Sequence, residues 1–302
     1  MPVVDRRALA PLEISQEVRG AVAARRGVVA LESAVLTHGL PADAAVEAVE
    51  RQRRACAVEG AVPAVVGVLA GRLRVGLSQP ECEALAKNQG AAKASGWNLA
   101  AAISAPGYAG TTVAATVRAA WLAGIGVVST GGLGGVHRGP APDVSADLAE
   151  LAVRPVCVVC SGPKSILDVA ATVERLETLA VPLVGWQSDR VAGFLTSFTE
   201  IAVAGRVDSV RELAELVSNH WRLGGCGLVV SRPLDAERAI PPEAVARALE
   251  GVGEAETGGG RTPADLERLR AALGPAAIEA NVALLEQNAQ LAAALAVRLA
   301  AA

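Results

Sequence analysis

The sequence predicts an α/β fold: a single layered domain over residues 1–302, with a central mixed β-sheet flanked by helices. Three observations carry this. Short apolar runs alternate with stretches of helical period along the chain. Apolar residues make up 52% of the chain but aromatics only 2%, so a large core must be built from Ala, Val, Leu and Ile. Two apolar runs are joined by a tight turn, a hairpin signal that makes the sheet mixed rather than purely parallel.

The elements follow in order. Gly27–Leu31 reads as a buried strand, and Ala42–Glu59 as a helix with apolar residues at helical spacing. Val62–Leu69 reads as a strand that turns through Ala70-Gly71-Arg72 into Leu73–Gly76. Thr111–Gly124 is predicted helical and Ile125–Ser129 extended. A short helix at Ser145–Ala152, a strand at Pro155–Cys160 and a helix at Lys164–Leu179 come next. Val181–Trp186 and Gly227–Ser231 read as strands on either side of a helix at Val210–Leu223. Glu250–Thr262, with five glycines, reads as a loop, and about Pro275–Ala302 as a closing Ala/Leu-rich helix. No repeat of period 20–50 is visible.

Composition excludes several classes. A formal charge of −3 and a pI near 5.8 argue against a nucleic-acid surface, which needs a basic face. Seven aromatics in all, two Phe, one Tyr and four Trp, argue against base-stacking platforms. No run approaches the roughly 18–20 apolar residues of a membrane span, and the first seven residues lack a signal-peptide apolar core. Five cysteines at 56, 82, 157, 160 and 226 follow no disulfide framework, so a reduced cytoplasmic protein is expected. Cys157 and Cys160 have CxxC spacing, but residues three apart on a strand face opposite ways, so they are expected to be packing residues.

Five stretches carry candidate chemistry. Thr130-Gly-Gly-Leu-Gly-Gly-Val-His-Arg-Gly139 follows a strand, where α/β proteins place their sites. Its glycines would let backbone N–H groups approach an anion, though it matches neither a Walker A loop nor a helix-opening GxGxxG; an ordinary glycine-rich loop is the alternative, and His137 with Arg138 beside it favours a site. Asp143 and Asp147 flank Ser145; the trio suits either a hard cation or a helix cap. Ser161-Gly-Pro-Lys164 is read as opening a helix, where the positive helix end would favour a Schiff-base lysine; a solvent-facing Lys fits the same spacing. Glu32 ends a buried strand, as an acid–base group or as a carboxylate in water. Asn281 and Asn288, seven apart, share one helix face two turns apart, where surface or interhelical amides fit as well as a paired role.

These stretches together resemble the pseudouridine-5′-phosphate glycosidase family, also called the indigoidine-synthase-A-like family. The resemblance runs in order through residues 30–41, 60–77, 110–139, 143–151, 156–189 and 279–296, and TGGLGGVHRG with SADL and the KSILD lysine is its most specific part. It implies one α/β domain, a homotrimer, a divalent metal such as Mn2+, and a C–C glycosidic bond made or broken between ribose 5-phosphate and an aglycone. Lys164 matches the lysine that forms an imine with the ring-opened sugar. Glu32 matches the acid–base glutamate. Lys93, Thr112, Val113, His137, Ser145, Ala146, Asp147 and Asn288 match substrate contacts, and Asp143 matches the metal-linked aspartate. A C–C glycoside has no leaving oxygen to protonate, so the imine serves as electron sink at C1′ and the general acid must protonate carbon.

The departures from the family pattern are local. Lys-x-Ser-Arg-Arg-Asp-Leu becomes Lys93-Ala-Ser-Gly-Trp-Asn-Leu99, the loop before Asp143 is about two residues shorter, and TPFLL reads Thr262-Pro-Ala-Asp-Leu266. Trp97 offers an apolar stacking face where the family keeps arginine. A larger, aromatic aglycone is therefore expected, as in the alnumycin-type C-glycosynthase branch of antibiotic biosynthesis. The alternative is release of uracil from pseudouridine 5′-phosphate.

Overall fold

The computed structural model describes residues 11–139, 143–250 and 261–302. The N-terminal heptapeptide, residues 140–142 of the shortened loop and residues 251–260 of the glycine-rich stretch lie outside it.

Eleven strands form one sheet. Its middle is a parallel run in the spatial order Val62–Leu69, Val28–Leu31, Val127–Ser129, Cys157–Cys160, Leu228–Ser231, Leu183–Trp186 and Gly205–Val207. The predicted hairpin is present: Arg72–Val75 returns antiparallel to Val66–Leu69. The same half of that strand pairs on its other edge with Tyr108–Thr111, which in turn pairs with Ala92–Ala94. The sheet is mixed because its first edge is antiparallel while its centre is built from crossovers.

Strand periodicity divides the core. Val29, Leu31, Cys157 and Val159 face a layer containing the helices Ala42–Val58, Val210–Arg222 and Pro275–Ala300. Val28, Ala30, Val158 and Cys160 face the helices Gln16–Ala23, Val113–Ala123, Ala146–Leu151 and Val169–Thr178. Cys157 and Cys160 therefore point to opposite layers, as expected, and burial pushes the Cys160 thiol up to about 12. Small residues on both partners, among them Ala45, Ala48, Ala283 and Ala292, are fully buried where the closing helix packs on Ala42–Val58.

Two predicted helices start late. The stretch Thr111–Gly124 begins as a strand ending at Thr111, and its helix starts at Val113 with Thr112 as cap; Gly124 ends it in the left-handed region at φ 78°. The helix placed at Lys164–Leu179 starts only at Val169. Leu167–Asp168 instead pairs antiparallel with Val136–His137, which holds this segment extended. Asp168 then caps the helix, accepting a hydrogen bond from Ala171 N at 2.9 Å. No helix among the described residues is long and apolar enough to cross a membrane.

Candidate active site

The parallel strands all end on one edge of the sheet, and the loops leaving that edge carry the site. Val28–Leu31 delivers Glu32. Val127–Ser129 delivers the glycine stretch, Cys157–Cys160 delivers Lys164, and Ala92–Ala94 carries Lys93.

The glycine stretch is tied to its neighbours through part of its backbone. Four of its amides are taken by protein acceptors: Leu133 N donates to Gly162 O, Gly134 N to Asp147 Oδ2, Val136 N to Thr172 Oγ1 and His137 N to Asp143 O. These bonds make it a joint between the segments around it. A Cβ on Gly132 would sit 2.6 Å from the Phe194 ring and 3.1 Å from Lys164 Cγ, so this glycine makes room for the lysine stem. Lys164 N donates back to Leu133 O at 3.0 Å, and Arg138 Nε donates to Leu167 O at 3.1 Å. Lys164 is thus held in a braced turn five residues ahead of its helix, and the helix-end argument for its reactivity falls away.

Glu32 is buried, accepts a hydrogen bond from Thr130 Oγ1 at 3.2 Å, and has its second oxygen unpartnered. Burial raises its pKa above the ordinary carboxylate range, against the opposing pull of the Lys164 charge. The strand-end carboxylate in water is therefore excluded. Burial, reinforced by the Lys164 charge, lowers the pKa of Lys93.

Two cavities meet at Glu32, Ala34, Lys93 and Lys164, which line both. The first, about 720 Å³, is polar and is lined by Thr112, Val113, His137, Asp143, Ser145, Ala146, Asp147 and, at its mouth, Trp97. It faces the N-terminus of the helix Val113–Ala123, whose dipole and first amides favour an anion. Ser145 caps its own helix, accepting from Asp147 N at 3.2 Å. Asp147 spends its carboxylate on the frame, accepting from Ala114 N at 2.8 Å and Gly134 N at 2.9 Å. It thus braces the frame of the cavity that it lines.

The second cavity, tighter at about 70 Å³, is chiefly apolar. Val35, Leu40, Phe194, Leu195, Leu266, Leu269 and Leu285 form it, with His38, Asn281 and Arg270 as polar points. Most of these were missed in the sequence, because aliphatic residues from four distant segments carry no local motif. Asn281 was seen only as a helix-face partner of Asn288.

Two of the expected substrate contacts do not line the apolar cavity. Asn288 does not line either cavity: it is fully buried behind them, donating to Thr130 O at 3.0 Å and accepting from Ser161 Oγ at 3.3 Å. It ties the glycine stretch to the Lys164 loop. Trp97 is 77% exposed at the mouth of the polar cavity and does not line the apolar one, so it is misplaced for stacking there. The turn at Gly96 brings the chain against Glu150, where a Cβ would meet Oε1 at 3.0 Å, which leaves the next side chain directed outward.

A lysine and a buried acid shared between a polar and an apolar chamber define an enzyme for a two-part substrate with an anionic half. The chain belongs to the family described as indigoidine synthase A like protein, which it matches over residues 17–298. It is 45% identical over 277 residues to the pseudouridine-5′-phosphate glycosidase of Thermus thermophilus, covering 90% of this chain and 97% of that one. It is 42% identical to the enzyme of the same name from Sorangium cellulosum, covering 94% and 92%. Among solved structures, the prealnumycin C-glycosynthase AlnA in complex with ribulose 5-phosphate aligns with a TM-score of 0.86 at 33% identity, covering 96% and 97%. An indigoidine synthase A-like protein from Thermotoga maritima aligns at 0.88 and 35%, covering 96% of each chain.

Proposed function

We infer that this enzyme cleaves, and in reverse forms, the C–C glycosidic bond between ribose 5-phosphate and a nucleobase, releasing uracil from pseudouridine 5′-phosphate. The observation that carries the reading is that Glu32 and Lys164 stand at the junction of the two cavities. The phosphosugar takes the polar chamber, its phosphate near Lys93, Thr112 and the helix start at Val113. The base takes the apolar chamber. Lys164 Nζ attacks C1′ and the C1′–O4′ bond opens, O4′ taking a proton. The nitrogen lone pair then forms the iminium as the C1′–C5 bond breaks, and the Glu32 carboxylic acid protonates C5. Water hydrolyses the imine and restores Lys164. An acid with a raised pKa suits proton delivery to carbon.

A divalent cation such as Mn2+ fits only through Asp143. Its Oδ2 is buried in the polar chamber and lacks a hydrogen-bond partner. Among the described residues no group of three or more His, Cys, Asp and Glu side chains is placed to hold a metal. A bound cation would therefore complete its shell with water and phosphosugar oxygens, and would offset the charge of the phosphosugar.

The higher identity to the glycosidases favours cleavage of a nucleobase glycoside, and the polar points in the apolar chamber suit a base with polar edges. The aliphatic wall of that chamber favours a second reading, synthesis onto an aromatic acceptor as AlnA's name describes. The deciding experiment offers pseudouridine 5′-phosphate and follows uracil by absorbance, then adds borohydride with ribose 5-phosphate and maps the sugar mass by mass spectrometry. Uracil release with an adduct on Lys164 supports the first reading. An adduct without uracil turnover supports the second, and no adduct overturns both. The homotrimer of the family resemblance belongs to the same proposal, and light scattering checks it.

A further inference from the structure

Of the chain's three histidines, His38 is the one that lines the apolar chamber. It lies in a π-helical turn, Val35–Gly39, that begins three residues after Glu32. Such turns are rare and are concentrated at functional sites. This one is pressed onto the strand Tyr108–Thr111: a Cβ on Gly110 would lie 2.2 Å from Thr37 Oγ1 and 2.8 Å from Ser33 O, so glycine is required for the turn to close in.

The imidazole is anchored at one end, with Nδ1 2.6 Å from Thr37 Oγ1. The Thr37 hydroxyl donates to Ala34 O at 3.5 Å, so its oxygen is left to accept from Nδ1–H. That tautomer, inferred from the bonding, leaves Nε2 as an acceptor. Burial, then the Lys93 charge, lowers the His38 pKa.

Building on the C-glycoside reading, we propose that His38 recognises the aglycone: Nε2 accepts a hydrogen bond from a ring N–H of the base and so holds the reacting carbon beside Glu32. None of the proposed covalent steps passes through His38, so its role is specificity.

The test measures synthesis from ribose 5-phosphate with uracil, 1-methyluracil and 3-methyluracil, in wild type, His38→Phe and His38→Asn. The Phe variant keeps bulk without an acceptor and should raise the uracil KM about tenfold or more, whereas Asn, which retains an acceptor, should recover part of it. The penalty that one methyluracil carries in wild type should fall to within about twofold in His38→Phe. Borohydride trapping on Lys164, which reads the sugar half alone, should proceed in both variants. A uracil KM within about twofold of wild type in His38→Phe, or one that rises only together with loss of the trapped adduct, overturns the proposal. A wild-type protein that forms no adduct and consumes no uracil overturns the function itself, and this inference with it.

Discussion

The two chambers on either side of Glu32 are built by different means. The polar one is made of loop and helix-start residues that lie in a few short stretches: Lys93 to Trp97, Thr112 and Val113, and His137 with Asp143 to Asp147. The apolar one gathers Val35, Phe194, Leu266 and Leu285 from four separate parts of the chain. Charged and polar groups must be positioned one by one, so they cluster on local frames. An apolar wall needs only shape, so any element that passes can supply it. This contrast explains why the sugar side is dense in motifs and the base side is not.

Lys164 should show the largest effect, because both halves of the reaction meet there. Lys164→Ala should abolish the borohydride adduct and reduce turnover by more than about a thousandfold, in line with losing a covalent route. Uracil release at the wild-type rate would break the division into two chambers joined by one nucleophile.

Glu32→Gln should separate the chambers. Adduct formation with ribose 5-phosphate occurs in the polar chamber and should survive, while cleavage should fall by about 10²–10⁴-fold, the range of general acid catalysis. The raised pKa also sets a pH signature. Cleavage needs the protonated acid, so its rate should fall as pH rises through that pKa. A cleavage rate that did not fall over that interval would remove Glu32 from proton transfer.

Asp147→Asn should act on the frame. The variant loses one of the two acceptors that serve Ala114 N and Gly134 N, and puts an amide donor against an N–H. A destabilisation of about 1–3 kcal/mol is expected in urea unfolding, with a weaker affinity for ribose 5-phosphate. Unchanged stability would return Asp147 to the list of direct ligands.

Much of this layout is legible in the sequence, for reasons that can be named. Strand Val62–Leu69 and its hairpin follow from an apolar run and a Gly turn, and the opposite facing of Cys157 and Cys160 follows from strand period alone. Glu32, Lys93, Lys164 and the polar run near Asp143 come from the family resemblance, and the structure brings them around shared cavities. What fails is what depends on partners far away in sequence. The Lys164 segment has local helix signals, but its pairing with Val136–His137 outweighs them. The bracing of the glycine stretch by Asp147, Thr172 and Gly162, which take the amides of Gly134, Val136 and Leu133, has no local signal. Asn288 looks like a ligand because its role as a clamp spans 127 residues to Ser161.

Trp97 should show the smallest effect, and it is the sharpest test of the comparison. In the sequence it replaces a family arginine four residues after Lys93, which points to aglycone stacking. In the structure it is 77% exposed at the mouth of the polar chamber and lines no part of the apolar one. An exposed side chain without partners contributes little to stability or to binding. Trp97→Ala should therefore change uracil KM, adduct yield and turnover by no more than about twofold. A tenfold loss confined to the aglycone KM would mean that the base lies over the polar chamber. The assignment of sugar and base to the two sides of Glu32 would then have to be reversed.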